Sequence, residues 1–348
     1  MQPFKRILVP FDGSAAGIHA CNEAVELAAA ARAELVLLQV IEPSPHLFPR
    51  EVTDSVRAMV AAEVEECASK LRSRAPSVRA LVAEGRPWEK IVETARKLGA
   101  DLVVMGTHGR SGLSRAILGS VAERVVRLSD APVLTVPEHV FVDRTDSAIR
   151  LTRALAPLGV EAPAVIALSR GALPIAREIA CASSGTVDLW LVAPLRDDDG
   201  RTFGAMGEDG AVSLEGEQAV DQAARRAAES VTRAAIEAEL RRLRGARAMG
   251  PTGDRAIVAV AEGLSGPAAA VVAARALRAL GPRALILATP IASPDTIGAV
   301  TSHFDHVVCV KRPVLEEGLQ WYEHDDLPSD RDARALLEAV PTTAGGAP

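Results

Sequence analysis

The chain has 348 residues, with 39 Lys and Arg against 45 Asp and Glu for a formal net charge of −6. That balance gives no basic surplus to draw in nucleic acid by charge, and the length suffices for two domains with buried cores. Only 3% of residues are aromatic, which favours helices packed on apolar parallel strands over an antiparallel sandwich.

The first residues, Met1-Gln2-Pro3-Phe4-Lys5-Arg6, lead into a strand without a signal-peptide apolar core, and no run of about 18 apolar residues follows. A cytoplasmic protein without a membrane partner is expected. Cys21, Cys67, Cys181 and Cys309 are scattered and form no C-x-x-C pair. They are read as small buried apolar groups in a reduced compartment, with no metal site among them.

The elements alternate from the start. Strand Ile7 to Phe11 ends at Asp12-Gly13-Ser14, a helix runs from about Ile18 to Arg32, and Leu35 to Val40 form a nearly all-apolar strand. Pro43 and Pro45 break the chain before a charged helix from about Val52 to Arg74. Strand Val78 to Val82, helix Pro87 to Leu98, strand Asp101 to Met105, helix Ala116 to Leu128 and strand Val133 to Val136 complete this half. Strands alternating with helices predict a doubly wound parallel sheet, whose ligand site lies beyond the carboxyl ends of the strands where the order reverses.

Between strand and helix lies Gly106-Thr107-His108-Gly109-Arg110-Ser111-Gly112, continuing to Gly119-Ser120. Glycines let backbone turn close to a ligand, and a helix N-terminus favours an anion. The loop is neither a Walker A loop nor a dinucleotide fingerprint. Its spacing, Gly106, Gly109, Gly119, Ser120, resembles the ATP-binding type of the universal stress proteins, as does Ile7-Leu8-Val9-Pro10-Phe11-Asp12-Gly13-Ser14. The resemblance covers roughly residues 3 to 137. It implies a nucleotide-binding domain over 1–140 and ATP, with Mg2+, as the ligand. Pro10, Asp12 and Val40 would stand around ribose and adenine, and Gly106, Gly109, Gly119 and Ser120 around the phosphates; Arg110 in the loop reads equally as a phosphate partner and as a solvated cation. An Asp at position 12 also suits a simple helix cap. The same resemblance implies a homodimer pairing through the strand Val133 to Val136.

After a link over 138–146 and a helix to about Leu158, the pattern restarts with Ala164 to Leu168, the turn Ser169-Arg170-Gly171-Ala172-Leu173-Pro174 and a helix to Ala182. Strand Val187 to Val192 precedes an excursion, Arg196 to Gly216, that shows no period and reads as a mobile or hairpin-like segment. A helix from about Gln218 to Arg244 presents a solvated charged face, its arginines interleaved with Glu229, Glu237 and Glu239. Strand Ala256 to Val260, the turn Ala261-Glu262-Gly263-Leu264-Ser265-Gly266-Pro267, a helix to Leu280, and strands Ala284 to Ala288 and Val307 to Val310 follow.

This half resembles the type I phosphoribosyltransferases over about 148–335. Ser169 to Pro174 matches the pyrophosphate loop, Val260-Ala261-Glu262-Gly263 the phosphoribosyl-diphosphate motif, and Pro290, Pro294-Asp295-Thr296, Val307-Val308-Cys309 and Gln320-Trp321-Tyr322-Glu323 the tail. The resemblance implies a ligand set of Arg170, Gly171, Glu262, Gly263, Ser265 and Gly266, with Glu262 as the residue nearest to catalysis and a phosphoribosyl compound as the ligand. Three departures stand out. Ala261-Glu262 replaces two adjacent acids, the run Gly263 to Ala269 is one position short and poor in hydroxyls, and Ala193-Pro194-Leu195 replaces a basic pair. Transfer depends on stabilising developing charge, and one lost electrostatic donor costs roughly 3 to 4 kcal/mol.

The expectation is thus α/β throughout, with two doubly wound parallel-sheet domains and a disordered tail at 341–348. The first domain is an ATP-binding stress-response domain, and the second a phosphoribosyltransferase-like module that regulates or binds a ligand without turnover. The alternative is an active phosphoribosyltransferase regulated by ATP on the first domain. A self-phosphorylating protein with Ser120 or Thr107 as acceptor ranks below both, since neither motif carries an obvious general base.

Overall fold

The computed structural model describes residues 4–42, 50–75, 77–107, 118–216, 221–245, 249–250, 252–317 and 319–338, with side chains in the helix over 50–71 described from residue 54. Two compact units share the chain, one of Met1–Val140 with Val314–Glu323, the other of Phe141–Pro313 with His324–Pro348.

The first unit runs β1 (Arg6–Pro10), α1 (Ala15–Ala31), β2 (Glu34–Ile41), α2 (Arg50–Leu71), β3 (Ser77–Glu84), α3 (Pro87–Leu98), β4 (Leu102–Gly106), α4 (Ser120–Leu128) and β5 (Val133–Val136). Its strands are ordered β3-β2-β1-β4-β5 and all pair in parallel. Alternate residues of each strand feed opposite faces: Ile7, Val9, Leu35 and Leu37 pack with α1 and α2, while Leu8, Val36, Leu38, Val103 and Met105 pack with α3 and α4. Each such fully buried aliphatic side chain contributes about 1.5–3 kcal/mol. This explains why the strands read as unbroken apolar runs. Helix α4 begins at Ser120, not at Ala116: Leu118 and Gly119 are non-helical. The expectations on His108, Gly109, Arg110 and the 341–348 tail lie outside the described residues.

Residues Val314–Glu323 belong to this unit, though their place in the sequence pattern puts them in the second domain. The reason is Asn22 of α1, whose amide donates to the Leu315 carbonyl at 2.8 Å and accepts from the amides of Val314 and Leu315 at 2.9 and 3.0 Å. Leu315 is itself buried in the α1–α2 core.

A short strand, β6 (His139–Phe141), leads out of the first unit. The second unit runs α5 (Arg144–Leu155), β7 (Ala164–Ala167), α6 (Leu173–Ser183), β8 (Thr186–Leu189), β9 (Val192–Arg196), β10 (Thr202–Gly207), β11 (Val212–Leu214), α7 (Gln222–Leu243), β12 (Ile257–Val260), α8 (Ala268–Arg278), β13 (Leu285–Ile291), α9 (Pro294–Val300) and β14 (His306–Lys311). After β15 (Gln320–Tyr322), which pairs with β6, comes α10 (Asp330–Glu338). The parallel sheet is ordered β14-β13-β12-β7-β8, with one core on each face. The excursion after β8 is ordered: β9, β10 and β11 form an antiparallel three-stranded sheet. Strand β10, Thr-Phe-Gly-Ala-Met-Gly, is buried at five successive positions, so no polar alternation marks it. Cys21 is buried as expected, but Cys181 is exposed.

Candidate functional site

In the first unit the sheet order reverses between β1 and β4, and a cleft of about 200 Å³ opens beyond their carboxyl ends. Pro10 and Asp12 line it from β1, Val40 and Leu38 from β2, Gly106 and Thr107 from β4, and Gly119 and Ser120 from the start of α4. Six of the residues singled out in the sequence thus meet at one place, Pro10, Asp12, Val40, Gly106, Gly119 and Ser120; Gly109 and Arg110 are outside the described residues.

The turn after β1 is built by its own side chains. Gly13 takes a φ of 73°, a left-handed value that glycine adopts freely. Asp12 Oδ1 then accepts from the Ser14 amide at 3.0 Å and the Ser14 hydroxyl at 2.6 Å, and Ser14 Oγ caps α1 by accepting from the Gly17 amide at 3.1 Å. The cap of α1 is thus Ser14 and not Asp12, which orders the capping turn through Ser14 and lines the cleft. Gly17 is a site residue missed in the sequence; a β-carbon there would lie 2.8 Å from Asp12 Oδ1. A Ser at N-cap followed three positions later by Gly was the available signal. Gly106 is required by close approach, since a β-carbon would fall 2.7 Å from Ala16 Cβ and 2.9 Å from the Ala16 carbonyl carbon.

Across the cleft, Gly119 donates to the Thr107 carbonyl at 2.8 Å and stands as the N-cap of α4. The first-turn amides of α4 at Ser120, Val121 and Ala122, which a helix cannot satisfy internally, border the cleft. Leu38, Val40, Pro87 and Ile91 form an apolar wall beside them. The arrangement offers an apolar slot, one carboxylate and a helix N-terminus, which suits a ligand with a flat apolar body, hydroxyls and an anionic end.

In the second unit the order reverses between β7 and β12, and the loops leaving those two strands carry the residues singled out in the sequence. Glu262 and Gly171 are brought together so closely that a β-carbon on Gly171 would overlap the Glu262 carboxylate. That carboxylate accepts from Arg144 at 2.8 and 3.1 Å and from the Ser169 hydroxyl at 3.3 Å. Arg144, in the first turn of α5, is 7% exposed and also donates to Asp325 at 2.8 Å and the Asp326 carbonyl at 3.2 Å. Burial disfavours its charge, but the hydrogen bond and charge of Glu262 and then of Asp325 outweigh it and raise the guanidinium pKa.

Arg170 points elsewhere. It pairs with Glu239 at 2.5 Å and Asp330 at 2.6 Å and donates to the Pro328 carbonyl at 3.1 Å, so its charge is spent on α7 and α10. Ser265 is exposed, and Gly266 is backed by Glu215, whose carboxylate a β-carbon at 266 would overlap. Arg144, Glu215 and Asp325 were not legible as site residues, because each lies far along the chain from the loop it serves.

The family model described as "Universal stress protein family" matches residues 3–137. "Universal stress protein MJ0531" of Methanocaldococcus jannaschii is 37% identical over 139 residues, which cover 38% of this chain and 82% of the relative. "Putative phosphoribosyl transferase Rv0571c" of Mycobacterium tuberculosis is 31% identical over 208 residues, or 57% of this chain. The chain spans 46% of that relative's length. Among solved structures, TT1426 from Thermus thermophilus superposes with a TM-score of 0.46 at 29% identity, over 57% of this chain and 97% of that one.

Proposed function

Since this chain belongs to the universal stress protein family through residues 3–137, we propose that its first unit binds ATP with Mg2+ in the cleft between β1 and β4. The observation that carries this reading is the meeting of an apolar wall, a carboxylate and the α4 N-terminus in one cleft. The residues fit the ligand. Leu38, Val40, Pro87 and Ile91 would receive the adenine, Asp12 the ribose hydroxyls, and Gly119, Ser120 and the α4 amides the phosphates, while the missing side chains at Gly17 and Gly106 keep the turns close. Gly109 and Arg110 complete the phosphate set by motif.

The second, phosphoribosyltransferase-like unit acts in this reading as a regulatory or ligand-binding module without turnover, in a cytoplasmic homodimer. The engagement of Glu262 by Arg144 and its close approach to Gly171, together with the lost acid at Ala261, support this over an active transferase. Pyrophosphate release from phosphoribosyl diphosphate with any common base would restore the transferase reading.

Calorimetric titration of the full chain with ATP and Mg2+ tests the first unit. Micromolar affinity, about −8 kcal/mol, is expected, and Asp12→Ala combined with Ser120→Ala should weaken it at least tenfold, since each lost hydrogen bond to ligand is worth about 1 kcal/mol or more. Equal affinity in the variant would put the nucleotide elsewhere, and no binding by the parent chain would defeat the reading.

A further inference from the structure

At the amino ends of the second unit's parallel strands, away from the loops that follow β7 and β12, the surface opens into a cleft of about 670 Å³, larger than the one in the first unit. Pro163 directly before β7, Val258 near the start of β12 and Ser184 just before β8 fix its place at that end of the sheet. Ligands of open α/β sheets gather at the opposite, carboxyl ends of the strands, so the fold itself does not call for a cleft here. Its volume falls in the range of small-molecule sites, and Leu155, Val160 and Ile179 give it an apolar lining.

Three observations set this cleft apart from a chance groove. The first is strain. Among the described residues three non-glycines take a left-handed φ, and two of them, Ala162 at 45° and Ser184 at 54°, line the cleft. Ser184 ends α6, where such a φ is common, but Ala162 lies in a loop and has no side-chain oxygen to compensate. Its amide donates to the Ser183 carbonyl at 2.9 Å and holds it there; strain of this kind gathers where backbone shapes a site. The second is Thr152 on α5, another lining residue, whose enclosed hydroxyl has no hydrogen-bond partner, an uncommon state for a buried polar atom. The third is charge. Helices α5 and α6 both end at the cleft, at Leu155 and Ser183, and the carboxyl end of a helix carries a partial negative charge. Glu161 adds a carboxylate, and no basic residue is among those that line the cleft.

We propose that this cleft binds a small organic ammonium, a primary amine carrying an apolar body. The body takes the apolar lining. The ammonium, with three N–H donors and no acceptor, suits a wall of helix carboxyl ends, a carboxylate and an unpaired hydroxyl, whereas an anion would meet like charge from the helix ends and from Glu161. The site goes beyond the function proposed above and depends neither on the ATP cleft nor on the loops around Glu262.

The test is calorimetric titration of the full chain with 2-phenylethylamine near neutral pH, beside 2-phenylethanol and phenylacetate, which keep an aromatic body and change the charge. The amine should bind with a dissociation constant below about 1 mM, the range for a ligand of so few atoms. The alcohol should bind roughly fivefold more weakly, and the carboxylate not measurably. Glu161→Gln should weaken the amine by about threefold, the scale of an exposed charge pair, and leave the alcohol unchanged. Ala182→Phe, which puts a ring into the cleft from an exposed position, should abolish binding of both. The ligand series on the parent chain decides the matter if either variant does not fold. No binding of the amine by the parent, equal affinity for amine and alcohol, or an amine affinity unchanged by Glu161→Gln would overturn the proposal. So would an amine affinity unchanged by Ala182→Phe, which would assign the amine to the general acidic surface.

Discussion

Cys309, in β14, donates its thiol proton to the Lys311 carbonyl at 3.1 Å, and burial pushes its pKa up to about 11 from the ordinary 9.0. In the unfolded chain the thiol ionises near pH 9, whereas in the folded unit it stays neutral to about 11. Stability is therefore fully present below pH 9 and falls as pH rises through that window, by on the order of 2–3 kcal/mol. Urea midpoints measured from pH 8 to 11 should show this slope, and Cys309→Ala should flatten it; an equal slope in the variant would assign it to other groups. Arg170 behaves in the opposite sense through its partners. Its hydrogen bond holds Asp330 below the usual carboxylate range, and for Glu239 the hydrogen bonds of Arg170 and Arg242 overcome burial to do the same. That clamp is present at neutral pH and is lost on acidification below the ordinary carboxylate pKa. Legibility at this scale follows sequence distance. Asp12, Gly106 and Ser120 could be read because a turn or a helix start is a local pattern. Arg144 could not, because Glu262 lies 118 positions away and nothing in either segment announces the other.

Among the elements, the attachment of Val314–Glu323 to α1 takes its hydrogen bonds from one side chain, Asn22, beside the burial of Leu315. Asn22 satisfies the buried carbonyl and amide of Leu315 and the half-buried amide of Val314. Asn22→Ala should cost the first unit about 3 kcal/mol, the penalty for leaving several buried polar groups without partners. Denaturant unfolding followed by a first-unit probe such as Trp88 would register it, and a change below about 0.5 kcal/mol, the range of ordinary surface substitutions, would show that water replaces the amide without loss. The alternating strands and helices were legible here because parallel strands covered on both faces are apolar throughout. The β9–β11 sheet was legible only as a hairpin-like alternative to a mobile segment, since β10 combines two glycines with burial at five of its six positions and so offers neither period. The attachment itself was invisible for a different reason: an Asn inside an Ala-rich helix reads as an ordinary polar residue until its partners come from the other end of the chain.

At the scale of the molecule, the sheet of the first unit ends at β5, an edge strand with Leu134 exposed at 41% and, on α4, Val126 and Leu128 exposed at 46% and 49%. Among the described residues this edge pairs with no further strand, and such an edge invites a second strand, which supports the proposed homodimer. Light scattering after size exclusion should give a dimer for the parent chain and a monomer for Leu134→Lys; a monomeric parent would remove that assembly. Two α/β halves could be read from the repeated alternation, but their true division could not, because it is drawn by contacts and not by order along the chain. The return of Val314–Glu323 to the first unit has a temporal side. On the ribosome Met1–Val140 is complete first, yet Asn22 and the seat of Leu315 wait until all of Phe141–Pro313 has been made, on the order of ten to thirty seconds at ordinary elongation rates. For that interval the nascent first unit lacks Leu315 from its α1–α2 core and the partners of Asn22, and the residues synthesised late are its final fastening.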